Sequence, residues 1–330
     1  MSALAAVTGG TGFLGRYIVT ALAAAGWRVR ILARRSPTHP QLAGVPLEAV
    51  PGDLSDRAAL RALVDGADAV IHAAGLIKAS SSAQFRAVNE VGTASLAEAI
   101  ARTSPRARTL LVSSLAAREP QLSAYAATKR AAEERLLAIL GARSTWTIVR
   151  PCVIYGPWDT ETLALFRAAA RGVMPRPSVA GARLALIHAS DAAAAIAALA
   201  GQGPSGAILE LTDERFDGYT WHEITAAVAA VLERRLIAVP LPAPLIRAAA
   251  ALNVTTARML RRAPMLTPGK VREILHADWG STADRQPPRE LWRPAIGLAR
   301  GLQDTLSWYG ERRLLPARPI RPGARASSSN

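Results

Sequence analysis

The sequence predicts an α/β fold, a doubly wound parallel sheet followed by a smaller C-terminal region. Short β-prone apolar runs alternate with alanine-rich segments of helical length, which is the rhythm of a parallel sheet covered on both faces. The apolar runs also lack a period of two, as strands buried on both sides must. With 330 residues, half of them apolar and a fifth charged, the chain can bury a sizeable core in one large domain or two unequal ones.

Leu4 to Thr8 reads as the first strand and Gly12 to Ala25 as the helix after it. Arg28 to Ala33 and Ala69 to His72 read as further strands, the second of them followed by a helix from Ala83 to Arg102. Thr109 to Ser113 and Thr145 to Arg150 complete the strands of this half, with a helix from Ser123 to Leu140 between them. After Pro151 the rhythm loosens and prolines gather, at Pro157, Pro175, Pro177 and Pro204. Leu184 to His188 and Ile208 to Leu211 still read as strands there, and Asp191 to Ala200, Thr220 to Leu232 and Pro244 to Arg261 as helices. The expected division is a first domain over 1–150, a mixed α/β region for substrate over 151–310 from which some segments can rejoin the first sheet, and a tail over 311–330. That tail is basic, proline-rich and serine-rich, too polar for a core position, and reads as disordered.

The formal net charge is +15, and with only three lysines (Lys78, Lys129, Lys270) the excess is almost wholly arginine. A lone cysteine, Cys152, rules out an internal disulfide and argues against redox chemistry at sulfur. No metal site is expected. The start of the chain lacks a cationic, apolar leader, so the mature protein is expected to begin at Met1. Nor does any window reach the ~18 uninterrupted apolar residues of a membrane span. Leu241 to Leu252 comes nearest, but it is short and carries Arg247. A cytoplasmic protein is expected, with peripheral contact at the anionic inner face of the membrane. Charge of this size also invites nucleic acid, yet no aromatic-basic interleaving, finger or recognition-helix pattern occurs, and nucleic acid is not expected as a partner.

Thr8-Gly9-Gly10-Thr11-Gly12-Phe13-Leu14-Gly15 joins the first strand to the first helix and sets Gly9, Gly12 and Gly15 at the spacing G-x-x-G-x-x-G. Glycines at that junction let the backbone turn tightly and approach a pyrophosphate, whose charge is met by the N–H groups of the helix start. The first domain is therefore read as Rossmann-type, with Gly9, Thr11, Gly12, Phe13, Leu14 and Gly15 against a dinucleotide. The second strand ends in Ala33-Arg34-Arg35-Ser36 without an acidic residue nearby, and Arg16 follows Gly15. An acid at this strand end would select the free ribose 2′-hydroxyl, whereas a guanidinium fork suits a 2′-phosphate. Arg34, Arg35 and Arg16 thus favour NADP(H) over NAD(H).

Tyr125 and Lys129 are four residues apart in a helical segment and so share a face. An ammonium beside a phenol favours the phenolate, which predicts a lowered tyrosine pKa and a proton-transfer pair. Upstream, Ser113 and Ser114 close a strand and offer hydroxyls for a substrate oxygen, Ser114 being the first choice.

These motifs, together with Gly52-Asp53-Leu54, His72-Ala73-Ala74-Gly75, Asn89, and Arg150-Pro151 through Tyr155-Gly156-Pro157, resemble in kind and order the extended short-chain dehydrogenases/reductases over residues 3 to 200. The resemblance implies that Asp53 and Leu54 flank the adenine and that Ala73, Ala74 and Gly75 line the cofactor. It also implies that Pro151, Cys152 and Val153 lie near the nicotinamide, that Lys129 contacts the cofactor, and that Asn89 joins a proton relay. A homodimer is expected by the same analogy. At the strand-to-helix joint His188 to Asp191, Ser190 or Asp191 is expected to cap the helix.

Relatives that dehydrate nucleotide sugars carry acids beside the catalytic hydroxyl. Here Leu115 and Ala116 follow Ser114. The stretch after Gly156-Pro157 also lacks the asparagine that epimerases use. The second half is instead apolar, from Pro240 to Ile246 into an alanine-rich helix ending Met259-Leu260-Arg261-Arg262, and is similar to bacterial reductases of 3-oxo lipids and to 3β-hydroxysteroid dehydrogenases. The expected function is NADP(H)-dependent interconversion of a ketone and a secondary alcohol on a hydrophobic substrate, such as a sphingolipid precursor or a sterol. The alternatives are a nucleotide-sugar epimerase or reductase, and a non-catalytic NADP(H)-binding scaffold or sensor. Retention of the Tyr–Lys pair argues for turnover.

Overall fold

The structure, a computed structural model, describes residues 2–141, 144–260, 263, 264 and 266–316. In chain order the first part holds β1 (Leu4–Thr8), α1 (Phe13–Ala24), β2 (Arg28–Ala33), β3 (Leu47–Pro51), α2 (Arg57–Val64), β4 (Ala69–His72), α3 (Ser82–Phe85), α4 (Gly92–Thr103), β5 (Arg108–Val112), α5 (Ala124–Leu140) and β6 (Trp146–Pro151). There follow β7 (Val153–Tyr155), α6 (Leu163–Ala170), β8 (Val173–Pro177), β9 (Arg183–Leu184), β10 (Leu186–His188), α7 (Ala189–Gln202) and β11 (Ala207–Leu211). The last part holds β12 (Tyr219–Thr220), α8 (Trp221–Val231), β13 (Ile237–Leu241), α9 (Ala243–Met259), α10 (Pro268–Ile274), β14 (Asp278–Trp279) and α11 (Leu298–Glu311).

Seven strands form one parallel sheet in the order β11-β6-β5-β4-β1-β2-β3. Both faces are covered. Ala5 and Val7 of β1 join a core with Ile18 and Leu22 of α1 and Ile196 of α7. Ala6 between them joins Leu63 of α2, Ile100 of α4 and Leu136 of α5. Neighbouring residues thus enter opposite cores, which is why the strand shows no polar alternation. Although α7 and β11 follow Pro151, they belong to this layer, β11 pairing with β6.

The remaining elements enclose a second core that includes Tyr155, Phe166, Ile224, Leu302 and Tyr309. Leu184 to His188, expected as one strand, is divided at Ala185. Its N–H donates to Trp279 O (3.1 Å) while its carbonyl accepts from Val153 N–H (3.4 Å), so β9 pairs with β12 and β14 and β10 pairs with β7. The cap expected at Ser190 or Asp191 is supplied instead by His188, whose Nδ1 accepts from Ser190 N–H (3.3 Å). Asp191 is buried, and its Oδ2 accepts from the N–H groups of Ala295 (3.0 Å) and Ile296 (2.8 Å), holding the approach to α11. The helix expected to reach Arg261 is described to Met259; Arg261 lies outside the described residues, as does the expected tail from residue 317 on.

Candidate active site

The candidate residues gather along one rim, at the C-terminal ends of β1 to β6, where open α/β sheets bind their ligands. The strand order reverses between β1 and β4, and the glycine loop faces Ala73 to Gly75 across that gap. Gly9 has φ +74°, and a Cβ there would lie 2.6 Å from Ala74 N and 2.7 Å from Ala73 C. A Cβ on Gly15 would overlap the Gly9 carbonyl. No side chain caps α1 at Gly12, which leaves the first N–H groups of the helix, from Phe13 to Gly15, to meet a pyrophosphate. A cradle that only glycine can line, ending at an uncapped helix start, fits a dinucleotide.

At the outer end of the rim, Arg34 and Arg35 stand exposed just past β2, and neither forms a salt bridge or hydrogen bond among the described residues. Asp53 lies exposed past β3. Its Oδ1 accepts from Ser55 N–H (2.8 Å) and Oγ (2.6 Å); those bonds, with Arg34 nearby, hold its carboxyl below its ordinary value. Leu54 packs over Gly92, where a Cβ would come within 2.7 Å of it. Arg16, expected to reach a phosphate, is largely committed elsewhere. Its Nη1 donates to Thr11 O (2.8 Å) and its Nε to Gln41 Oε1 (2.7 Å), and burial lowers its pKa. It braces the glycine loop rather than presenting a free fork, because α1 turns its side chain back under Thr11.

Tyr125, Lys129, Ser114 and Asn89 converge at the inner end. Ser123 caps α5, its Oγ accepting from Ala126 N–H (2.9 Å), and so sets where the helix begins and where Tyr125 points. Lys129 Nζ donates to Val112 O at the end of β5 (2.7 Å) and lies beneath Gly75, where a Cβ would be 3.6 Å away. Burial pulls the Lys129 ammonium down to about 8, with the Glu133 carboxylate pushing the other way. The Tyr125 phenol moves up to about 12, against the lowered value expected from its spacing to Lys129. Burial of the hydroxyl is the main cause; the Ser114 hydrogen bond pulls it back and the charge of Glu273 adds to the rise. Lys129, bonded to the Val112 carbonyl, does not offset that cost.

Asn89 lies in a π-helical turn, Arg86–Val91, that joins α3 to α4, a distortion frequent at functional sites. Its side chain accepts from Leu76 N–H (2.7 Å) and donates to Leu76 O (3.1 Å) and Thr128 Oγ1 (3.1 Å). It therefore ties the loop after β4 to α5 next to Lys129. The two serines separate cleanly. Ser114 Oγ accepts from Ala116 N–H (3.2 Å) and hydrogen-bonds the Tyr125 hydroxyl, so it faces the site. Ser113 points the other way and donates to the buried Glu133 carboxylate, so it is not a hydroxyl for substrate. Pro151 to Val153 close the rim past β6, where Cys152 N–H still donates to Leu211 O (3.1 Å); burial pushes the Cys152 thiol well up.

His72, fully enclosed, bridges Thr8 Oγ1 (2.6 Å, Nδ1) and Thr93 Oγ1 (2.9 Å, Nε2) directly behind the cofactor-facing loops. Burial, reinforced by Lys129, lowers its pKa from 6.5 to about 3. The unfolded chain then binds the extra proton between those two values, so the stability His72 lends is present above pH ~6.5 and is lost as pH falls toward ~3. Denaturant melts of the wild type should lose about 2 kcal/mol from this residue between pH 7 and 5, a loss that His72→Gln removes from the slope. An equal slope in both proteins would contradict it.

Two buried acids complete the site, and sequence reasoning missed both. Glu133 on α5 accepts from Arg150 Nε (2.9 Å) and Nη2 (2.6 Å) as well as from Ser113. Glu273 on α10 accepts from the Ser123 hydroxyl and pairs with Lys270 Nζ (3.0 Å). Alongside it, Arg272 Nε donates to Leu122 O (2.7 Å), and Arg118, four residues past Ser114, donates to Gly280 O (2.7 Å) and Asp278 O (3.1 Å). The C-terminal region thereby grips both loops that carry Ser114 and Tyr125. The Thr267-Pro268 helix start was a usable signal for α10; nothing local signals the partner of Glu273.

A model of the NAD-dependent epimerase/dehydratase family matches residues 5–211. The ceramide reductase of Caulobacter vibrioides (strain NA1000 / CB15N) is 46% identical over 312 residues, covering 94% of this chain and 96% of that protein. The 4-hydroxy-2-methyl-3-oxo-4-farnesyl-3,4-dihydroquinoline-1-oxide ketoreductase of Stigmatella aurantiaca is 32% identical over 225 residues, covering 63% of this chain and 67% of that one. Among solved structures, the UDP-glucose 4-epimerase of Thermus thermophilus in complex with NAD has the same fold, with a TM-score of 0.66 and 21% identity over 94% of this chain and 99% of that one. From its glycine cradle to the end of its seventh sheet strand, the chain belongs to the NAD-dependent epimerase/dehydratase family of extended short-chain dehydrogenases/reductases, and it is an oxidoreductase of that type.

Proposed function

We propose that the protein reduces the ketone of a hydrophobic lipid with NADPH, a 3-oxo ceramide or related sphingolipid precursor being the favoured substrate. The observation that carries this is the convergence of Tyr125, Ser114 and Lys129 at one strand end, with Leu115 and Ala116 rather than acids directly after Ser114. The long similarity to a ceramide reductase supports the substrate class. A bound nicotinamide cofactor supplies the hydride for the carbonyl carbon. Ser114 turns its O–H from the Tyr125 phenol to the carbonyl oxygen and holds that oxygen against Tyr125. The phenol, kept neutral near pH 7 by a pKa of about 12, gives its proton to that oxygen as negative charge develops there. Lys129 fixes its ammonium between the end of β5 and Gly75 on the loop that would line the cofactor, and Asn89 keeps Lys129 and the loop after β4 in register. In the oxidative direction the same proton returns to Tyr125.

NADP(H) preference rests on Arg34 and Arg35, which are exposed past β2 and form no salt bridge or hydrogen bond among the described residues, at the strand end where an adenosine ribose would lie. Arg34→Ala should weaken NADPH binding about ten- to a hundredfold and leave NADH binding unchanged in fluorescence titrations. Equal losses for both cofactors would point away from a 2′-phosphate contact. The function itself is tested by offering 3-oxo-ceramide, 3-oxo-sphingoid, 3-ketosteroid and UDP-sugar substrates with NADPH. Consumption with a 3-oxo lipid is expected; turnover of the nucleotide sugar alone would replace this reading with an epimerase or sugar reductase.

A further inference from the structure

We propose that the outward face of α9, with the adjoining β13, docks on an anionic lipid membrane. The inward face of the helix is ordinary core: Ile246 and Ala250 are buried and pack with Val271 of α10. The opposite face is apolar as well. Leu245, Leu252 and Met259 are 61%, 66% and 79% exposed, and their spacing of seven residues sets them in a nearly straight line roughly 21 Å long. Exposed Ala248 and Ala249 fill the interval between the first two, and Ile237 on β13 and Leu260 extend the patch at 68% and 64% exposure. Of the eleven large apolar side chains exposed among the described residues, five lie between Ile237 and Leu260. Scattered exposed apolar residues need no explanation, but a continuous stripe of this kind marks an interaction surface.

Charge selects the partner. Between Glu233 and Glu273 the chain carries eight basic residues and no acidic one, and Arg235, just before β13, and Arg247, on α9, are exposed. A second copy laid on this face would set cation against cation, which disfavours association. Anionic headgroups would pair with the arginines while the leucines and methionine enter the acyl boundary. Among the described residues no helix is long and apolar enough to cross a membrane, so the contact is one of lying on the surface. The location is also informative: α9 packs on α10, whose Glu273 holds Ser123, two residues before Tyr125. The helix that would dock thus lies, through α10, on the side of the site that holds the loop before the proposed proton donor. The inference rests on the lipid-ketone reading only for the purpose that docking serves.

The test is co-sedimentation of the full chain with vesicles of phosphatidylglycerol and phosphatidylcholine, and with phosphatidylcholine alone, no ketone being present. Binding to the anionic vesicles is expected. It should weaken about tenfold in Leu252→Gln/Met259→Gln and by at least about tenfold in Arg235→Gln/Arg247→Gln, with thermal melts and NADPH binding unchanged. Wild type that ignores anionic vesicles, or binding that neither pair of substitutions weakens, overturns the proposal. A dimer that Leu252→Gln/Met259→Gln dissolves, without vesicle binding, assigns the face to a second copy and overturns it too. Because the assay contains no ketone, docking can hold where the substrate reading fails, and the reverse.

Discussion

Tyr125→Phe is expected to lower kcat for ketone reduction about 10²–10⁴-fold while NADPH binding stays at the wild-type level. The substitution removes one oxygen and keeps the ring, which packs against Phe85 at a centroid distance of 6.2 Å. What disappears is the proposed proton donor for the developing alkoxide. Ser114→Ala should cost about 10²–10³-fold, since it removes a donor to the same oxygen but leaves the proton source. The check is single-turnover reduction with saturating NADPH alongside a fluorescence titration of the cofactor. A Tyr125→Phe enzyme within a few-fold of wild type would mean that another group supplies the proton.

Glu133→Ala should destabilise the protein by about 3–5 kcal/mol. The side chain is buried, accepts two hydrogen bonds from Arg150 and a third from Ser113, and its loss leaves a buried guanidinium and a buried hydroxyl without their partner. Replacing both charges with apolar residues, Glu133→Leu with Arg150→Met, should recover much of that stability, because no unpaired charge then remains in the core. The milder Glu133→Gln has a separate signature. Glu133 favours the charged form of Lys129, whose pKa is about 8, so its neutralisation lets Lys129 lose its proton at lower pH. The alkaline limb of kcat/KM, expected near pH 8 in the wild type, should move down. Denaturant melts and a pH–rate profile read the two effects independently.

The parts of the fold that could be read from the residues are those whose signals are local. β1 and β4 are buried at every position and carry consecutive apolar residues. β2, β5, β6 and β11 each contain an apolar run of two or more residues, and the alanine-rich helices α1, α4 and α5 are long. β3 was missed for the complementary reason: Leu47-Glu48-Ala49-Val50-Pro51 is the exposed edge of the sheet, mixed in polarity and ended by proline. The short helix α2, with Leu60, Leu63 and Val64 as its buried face, went with it. In the site, the glycine loop and the Tyr125–Lys129 spacing were legible because helix and strand geometry convert sequence spacing directly into position. The direction of the Tyr125 pKa was not, since it depends on burial and on Glu273, 148 positions away. The choice between Ser113 and Ser114 likewise needed Glu133, because adjacent residues at a strand end point to opposite sides and only the partners reveal which side is the site.

The most direct test of the central claim is reduction of 3-oxo ceramide with NADPH deuterated at the transferring position of the nicotinamide, followed by mass analysis of the alcohol. Hydride transfer by this site predicts a product that carries the deuterium on its carbinol carbon, formed by the wild type and lost in Tyr125→Phe. Alcohol without deuterium, or intact 3-oxo ceramide beside a turned-over nucleotide sugar, would contradict it.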